Sequence, residues 1–181
     1  MVIALTGEKL AGKGTVAEYL QRTRQARVLR FSQPLTDILA RLHQPNSRAE
    51  LVALGGYLRE RFGDDVLARV ICSDIRATGD QLTVIDGLRY EAELLACRQL
   101  PTFYLLNVTA PVDIRFSRMQ FRQEKADELN MSYAEFVQRE QDVTEREIAQ
   151  VQQQAGMTIH NTGTKQDLYN AVDQWLATLP H

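Results

Sequence analysis

Residues 7–15 combine glycines and a lysine at a spacing that can bind phosphate. The segment is Gly7-Glu-Lys-Leu-Ala-Gly12-Lys13-Gly14-Thr15. An apolar run at residues 2–5 precedes it, and a helical pattern begins at Val16. A strand, a glycine-rich loop and a helix form the setting of a phosphate-binding loop, or P-loop, in which backbone N–H groups and the helix N-terminus bind phosphate. We expect Lys13 to reach the outer phosphates of a nucleoside triphosphate; the alternative is a strand–helix turn that binds no ligand.

A carboxylate that could bind metal lies further along the chain. The segment is Ile85-Asp86-Gly87-Leu88-Arg89-Tyr90-Glu91. Asp86 ends a predicted buried strand, which is where enzymes with a P-loop place a carboxylate near Mg²⁺. We expect Thr15 and Asp86 to support the metal, directly or through water, although an acid followed by glycine is also typical of a plain turn. Glu91 either orients Arg89 towards a substrate or supplies negative charge to the first turn of the next helix.

Three arginines lie on one face of a predicted helix and could bind transferring phosphate. Arg115, Arg118 and Arg122 fall within an arc of about 60° at the helical spacing. Guanidinium groups suit phosphate, and phosphoryl transfer gains its rate from positioning and from cations around the transferring group. We expect a catalytic lid at about residues 115–142, with Arg118 and Arg122 as the acting cations. The alternative is a solvated face paired with Glu124, Asp127 or Glu128.

A segment at about residues 32–78 is predicted to bind the phosphoryl acceptor. It contains three predicted helices between the second and third strands, more than a plain crossover needs. Arg59 and Arg61 in this segment could bind the phosphate of the acceptor or could be ordinary surface charges. Ser32 follows the second strand and could line the acceptor pocket.

The last predicted strand ends at His160-Asn161-Thr162-Gly163. The Asn161 amide and the backbone around Gly163 could bind a nucleobase edge, whereas the alternative is an ordinary turn. The next residues, Thr164-Lys-Gln-Asp167, resemble the guanine-binding element of GTPases. A helix capping box already explains Thr164 and Asp167, and Asp86 lacks the spacing to glycine that a GTPase requires, so the GTPase interpretation is discounted.

Composition is that of an ordinary globular chain. Of 181 residues, 44% are hydrophobic and 24% are charged, and the formal net charge of −2 provides no basic field for nucleic acid or an anionic membrane. No signal peptide or membrane-spanning apolar run is apparent, so a cytoplasmic protein is expected. Cys72 and Cys97 predict buried thiols rather than a disulfide framework, and the three histidines lack zinc-ligand spacing.

Alternating strands and helices predict one α/β domain over residues 1–181. Predicted strands cover 2–6, 27–31, 82–86, 102–108 and 157–160. Predicted helices cover 14–24, 34–43, 48–62, 64–77, 90–98, 111–122, 132–153 and 164–178. Most strands are continuous apolar runs, which is typical of parallel strands covered on both faces. The pattern predicts a three-layer sandwich around a five-stranded parallel sheet, with helical acceptor-binding and lid insertions and with ligands at the carboxyl ends of the strands.

Taken in order, these motifs resemble the P-loop nucleotide-kinase superfamily. The resemblance is to phage-type deoxynucleoside monophosphate kinases and to adenylate-kinase-like and dephospho-CoA-kinase-like proteins. Its elements are Gly-Lys-Gly-Thr, Phe-Ser-Gln-Pro-Leu, Leu-Gly-Gly-Tyr-Leu-Arg-Glu-Arg-Phe-Gly-Asp-Asp, Ile-Asp-Gly-Leu-Arg-Tyr-Glu, the arginine helix and Asn-Thr-Gly-Thr. Two departures stand out. Leu10 stands where many of these loops have another glycine, and the acidic pair of dephospho-CoA kinases is missing after the second strand.

The resemblance implies ATP and Mg²⁺, with Lys13 on the phosphates, Arg118 and Arg122 as lid arginines, Arg59 and Arg89 near the acceptor, and Asn161 and Gly163 near adenine. Together with the motifs described above, it gives the following candidate site. ATP would be bound by Gly7, Gly12, Lys13, Gly14, Thr15, Val16, Asn161 and Gly163. The metal would be supported by Thr15 and Asp86, and catalysis by Lys13, Asp86, Arg118 and Arg122. The acceptor would be bound by Ser32, Arg59, Arg89 and Glu91.

The expected function is ATP-dependent transfer of a phosphoryl group to a (deoxy)nucleoside monophosphate. A dephospho-CoA kinase-like activity is one alternative, and a nucleotide-binding regulatory protein with little turnover is another. The expected partner is a small nucleotide, with no nucleic acid and no membrane. The protein is expected to be a monomer or a homodimer.

Overall fold

The structure, a computed structural model, describes residues 1–79, 81–122, 131–139 and 143–180. Its centre is a parallel sheet of five strands in the order β2-β3-β1-β4-β5. The strands are β1 Val2–Thr6, β2 Arg27–Arg30, β3 Thr83–Asp86, β4 Phe103–Thr109 and β5 Met157–His160. The helices are α1 Lys13–Arg24, α2 Gln33–Arg41, α3 Arg48–Phe62, α4 Val66–Thr78, α5 Glu91–Cys97, α6 Val112–Arg122, α7 Tyr133–Arg139, α8 Val143–Gln152 and α9 Lys165–Leu176.

Side chains of the central strand β1 enter two separate hydrophobic layers. Val2 and Ala4 point to a layer that includes side chains of α4 and α5. Ile3 and Leu5 point to the opposite layer, formed with α1 and α9. All five residues of β1 are buried, because helices cover both faces of the sheet. The predicted three-layer α/β sandwich is therefore confirmed.

The chain reverses its direction of travel across the sheet at β1. From β1 it passes through α1 to β2 at one edge, and after β3 it crosses to β4 on the other side of β1. Ligands of open parallel sheets bind beyond the carboxyl ends of the strands at such a switch point. Residues 7–12, which connect β1 to α1, lie at this point.

The predicted elements agree with the structure except in one region. Strand ends differ by at most one residue and most helix ends by at most two. The single helix predicted at 132–153 is described as α7 and α8, and residues 140–142 between them lie outside the described residues. Much of the predicted lid, at 123–130, also lies outside them. None of the described helices is long and apolar enough to cross a membrane.

Two local predictions are confirmed. The capping box begins α9, because Thr164 Oγ1 accepts a hydrogen bond from the Asp167 N–H while Asp167 Oδ2 accepts one from the Thr164 N–H. Cys72 and Cys97 are free, buried thiols. Their sulfur atoms lie 3.9 Å apart because α4 packs against α5, a proximity that their separation in sequence did not indicate.

A buried carboxylate forms the start of α5. Glu93 Oε2 accepts hydrogen bonds from the backbone N–H groups of Arg89 (3.2 Å) and Tyr90 (3.3 Å). Only 1% of Glu93 is exposed, and this burial raises the pKa of its carboxyl group. The hydrogen bonds and the nearby Arg59 act in the opposite direction on that pKa.

The raised pKa of Glu93 predicts a pH-dependent stability difference from the Glu93→Gln variant. In the unfolded wild type the Glu93 carboxyl group ionises near pH 4.5, its ordinary pKa. In the folded protein the same group ionises only at higher pH. Ionisation of the unfolded state therefore favours unfolding of the wild type as pH rises. The free energy of unfolding of the wild type minus that of the variant should fall between pH 4.5 and the raised pKa and then level off. Urea unfolding of both proteins at a series of pH values measures this difference in stability. A difference that does not change with pH would contradict the prediction.

Gly7 packs directly against the neighbouring strand. Its φ is +132°, and an added Cβ would lie 2.0 Å from the carbonyl oxygen of Val108 in β4. Both the backbone conformation and the close approach therefore require glycine. Gly14 is different, because an added Cβ there would contact nothing within 4 Å.

Replacement of Gly7 should be much more costly than replacement of Gly14. We expect Gly7→Ala to lower the free energy of unfolding by roughly 2–4 kcal/mol, since strain and overlap add. Gly14→Ala lies at the start of a helix with open space around it and should change stability by less than about 1 kcal/mol. Denaturant unfolding of the two variants measures this, and equal losses would show that the contact with β4 is unimportant.

Candidate functional site

A basic cleft of about 1350 Å³ runs along the carboxyl edge of the sheet. Nine of its lining residues are lysine or arginine, and three are acidic, namely Glu18, Asp86 and Glu93. This excess of positive charge attracts anionic ligands. The structure places these predicted site residues in its lining: Gly12, Lys13, Gly14, Thr15, Ser32, Arg59, Asp86, Arg89, Arg118, Arg122, Asn161 and Gly163. Gly7, Val16 and Glu91 are outside the lining.

Lys13 begins α1 and bends back over the loop that precedes it. Its Nζ donates to the carbonyl oxygens of Gly7 (2.6 Å) and Glu8 (2.7 Å). The loop curls because Gly7, Leu10 and Gly12 all have positive φ angles. Leu10 adopts this conformation without being glycine, at a cost of about 1–2 kcal/mol. The sequence departure at Leu10 therefore leaves the shape of a P-loop intact.

Arg118 and Asn161 bind the same loop from its other side. Arg118 Nη1 donates to the carbonyls of Leu10 and Ala11, both at 3.2 Å, and Nη2 donates to the carbonyl of Asn161 at 2.8 Å. The Asn161 amide in turn donates to the carbonyl of Ala11 at 2.8 Å. Partial burial lowers the pKa of Arg118 from its usual value. Arg118 thus joins the P-loop to the loop after β5, an arrangement that sequence spacing did not predict.

Each carbonyl of residues 7–11 accepts a hydrogen bond from a side chain. Lys13 binds the first two, Arg118 and Asn161 bind the last two, and Arg115 Nη1 donates to the middle one, that of Lys9, at 3.5 Å. These cations and amides neutralise the negative ends of the peptide dipoles. An anion in the loop would therefore meet N–H groups rather than carbonyl oxygens.

The three arginines of α6 have three different environments. Arg115 is only 4% exposed, and its Nε donates to the carbonyl of Ala110 at 2.9 Å. Its guanidinium also lies 5.9 Å from the ring of Phe136 in α7, so it packs inside the protein. Arg118 and Arg122 line the cleft, and Arg122 is exposed at the end of the helix. The alternative ion pairs with residues 124, 127 and 128 lie outside the described residues.

Asp86 and Thr15 could support a magnesium ion. Both line the cleft and offer the hard oxygen atoms that Mg²⁺ prefers. Asp86 Oδ2 lies 3.4 Å from Arg30 Nε, so a metal ion would compete with this arginine for the carboxylate. Within the described ranges, no group of three or more His, Cys, Asp or Glu residues could form a metal site. A site with one or two protein ligands fits Mg²⁺, which takes its remaining ligands from phosphates and water.

Arg59, in α3, lines the cleft. Its Nη2 is 3.0 Å from Oε1 of the buried Glu93, and its guanidinium lies 4.7 Å from the centre of the Tyr90 ring. Ser32 and Arg89 also line the cleft. The Arg59 side chain is therefore held in one orientation by a carboxylate and an aromatic ring and is not an unrestrained surface arginine.

Glu93 is a site residue that the sequence analysis missed. The candidate carboxylate there was Glu91, whose Oε1 accepts a hydrogen bond from Gln154, away from the cleft. Glu93 lines the cleft instead and contacts Arg59. Its position three residues after Tyr90, at the start of a helix, was the available signal, because an acid at that point commonly bonds back to the preceding N–H.

Solved structures share this architecture. A shikimate kinase from Bacteroides thetaiotaomicron aligns over 98% of both chains, with a TM-score of 0.64 and 17% identity. TT1252 from Thermus thermophilus aligns over 100% of this chain and 98% of its own, with a TM-score of 0.59 and 22% identity. These likenesses concern the fold, which is that of P-loop kinases.

Sequence comparison gives nearer relatives. No family model matches the chain. A UPF0200 protein of Methanosarcina acetivorans is 33% identical over 132 residues, which cover 71% of this chain and 69% of the relative. A UPF0200 protein of Saccharolobus islandicus is 30% identical over 162 residues, covering 88% and 84% respectively. The chain therefore belongs to the UPF0200 family.

Proposed function

We propose that this protein is an ATP-dependent phosphotransferase that moves the γ-phosphoryl group to a (deoxy)nucleoside monophosphate. The observation that carries the proposal is a basic cleft whose lining includes both Lys13 with its loop and Arg59 with Arg89. Two anionic substrates could meet in such a cleft with their reacting atoms adjacent. The P-loop kinase fold of the solved structures supports the reaction class.

The P-loop side of the cleft is the ATP site. Loop N–H groups bind the phosphates, and the positive charge of Lys13 attracts the phosphate oxygens. Val16 is buried and supports the first turn of α1, whereas Asn161 and Gly163 border the space for adenine. Magnesium, supported by Thr15 and Asp86, would neutralise charge on the phosphates.

The opposite side of the cleft suits a phosphorylated acceptor. Arg59 and Arg89 provide guanidinium groups, the donors best matched to phosphate oxygens. Phe31 and Leu35 also line the cleft, but they are only 8% and 6% exposed and belong to the hydrophobic core, so they offer a base little surface. The proposed nucleotide acceptor therefore rests on the arginines. Dephospho-CoA and an unproductive regulatory site are the competing outcomes.

Catalysis in this proposal is in-line transfer with electrostatic stabilisation. Arg122 lies at the cleft edge, on the helix that leads into the predicted lid, and supplies positive charge to the transferring group. Arg118 acts differently, since its donors already bind loop carbonyls. Its role is to keep the loop and the segment after β5 in register for ATP.

The first test is ATP-dependent ADP release with all nucleoside and deoxynucleoside monophosphates and dephospho-CoA as acceptors. We expect turnover with one or a few monophosphates. Lys13→Met should reduce it at least about 100-fold, because a cation next to the developing charge is lost. Arg24→Met, an exposed change at the far end of the same helix, is the matched control and should retain activity.

Turnover only with dephospho-CoA would replace the proposed acceptor. Binding of ATP without turnover on any acceptor would favour a regulatory protein. Near-normal activity of a folded Lys13→Met protein would refute the mechanism.

Arg118 and Arg122 should give different kinetic signatures. Arg118→Ala removes charged hydrogen bonds worth about 1.5–3 kcal/mol each from the loop, so we expect the KM for ATP to rise at least 10-fold. Arg122→Ala should lower kcat by roughly 100-fold or more with little change in that KM, since its cation acts mainly in the transition state. Steady-state kinetics separate the two, and identical signatures would contradict the division of roles.

A further inference from the structure

Glu93 is a buried carboxylate that the proposed reaction does not use. Oε1 accepts a hydrogen bond from Arg59 Nη2 at 3.0 Å, and Oε2 accepts from the backbone N–H groups of Arg89 and Tyr90. Arg59 belongs to α3, whereas the two N–H groups belong to the loop between β3 and α5. One side chain therefore connects both elements that carry the arginines of the acceptor side.

The guanidinium of Arg59 is oriented on two sides. Glu93 binds Nη2, and the Tyr90 ring lies 4.7 Å from the guanidinium carbon. Nη1 is close to Gly55, where an added Cβ would lie only 3.2 Å away. The side chain is 21% exposed and lines the cleft, so it can still reach a ligand.

The donors of Arg59 are not all satisfied by the protein. Its Nε is buried and has no hydrogen-bond partner among the described residues. An unsatisfied buried donor is costly. Because Nε is enclosed by protein, an anion in the cleft would contact the accessible part of the Arg59 side chain, which is 21% exposed, rather than Nε.

We propose that Glu93 is the positioning residue of an acceptor-phosphate site formed by Arg59 and Arg89. It orients the Arg59 guanidinium directly and sets the backbone of Arg89, so that both arginines converge on one phosphate dianion. The proposal rests on the proposed function and specifies the chemistry of its acceptor side, which is a phosphate monoester or free phosphate. The competing role is purely structural, in which Glu93 only begins α5.

Phosphate binding can be measured without turnover. Inorganic phosphate is titrated calorimetrically into the full chain while AMP-PNP and Mg²⁺ saturate the ATP side. The variants are Glu93→Gln, Arg59→Ala and the double variant. Glu60→Gln is the matched control, because Glu60 is exposed beside Arg59 on α3 and does not line the cleft.

We expect Glu93→Gln and Arg59→Ala each to weaken phosphate binding at least about 10-fold, as loss of a charged hydrogen bond does. The double variant should lose less than the product of the two single losses, because the part of the Glu93 effect that passes through Arg59 is already absent in Arg59→Ala. A purely structural role would give additive losses, or none in the folded Glu93→Gln protein, and either result overturns the proposal. Glu60→Gln should bind like the wild type.

Two further results complete the test. If Glu93→Gln does not fold, Glu93→Asp replaces it: this variant keeps the charge but is one methylene too short to contact Arg59, and the same loss is expected. Failure of the wild type to bind phosphate overturns this proposal alone. Phosphate binding that depends on Glu93, combined with no turnover of any monophosphate, supports it while refuting the proposed function.

Discussion

The carbonyl oxygens of the P-loop impose the constraint on which the site depends. A loop that curls tightly enough to point its N–H groups at one anion brings its carbonyls close together as well, and these would repel phosphate. Lys13, Arg115, Arg118 and Asn161 bind these carbonyls and remove that repulsion. Because the four side chains come from α1, α6 and the segment after β5, the proposed phosphate site requires the assembled sheet.

Acidic side chains pair with arginines within the basic cleft. Two of the three acidic residues in its lining contact arginines, Asp86 with Arg30 and Glu93 with Arg59. Each contact reduces the mutual repulsion of neighbouring guanidinium groups and restricts their rotamers. In a partly buried cleft such restriction lowers the entropy cost of binding an anion. The cleft is thus organised for anions before any ligand arrives.

Much of the fold could be predicted from sequence because the relevant signals are local. Apolar runs identified the strands, helical periodicity identified the helices, and the capping box at Thr164 identified the start of α9. The P-loop was equally local, since its glycines and Lys13 are adjacent in the chain. The contacts of Arg118 and Glu93 were harder to predict from the sequence. The spacing of Arg118 indicated a cationic face but not that its donors bind loop carbonyls. The sequence pattern favoured Glu91, whereas Glu93 lines the cleft.

The sequence by itself determined the order of strands and helices, the glycine-rich loop with Lys13 after β1, and the set of cationic residues that the cleft contains. Only the tertiary structure decided their partners: Arg118 with the carbonyls of Leu10 and Ala11, and Arg59 with Glu93. The physical reason is that backbone conformation follows from neighbouring residues, whereas these contacts join residues 34 or more positions apart. Packing of α3, α5 and α6 around the sheet brings them together.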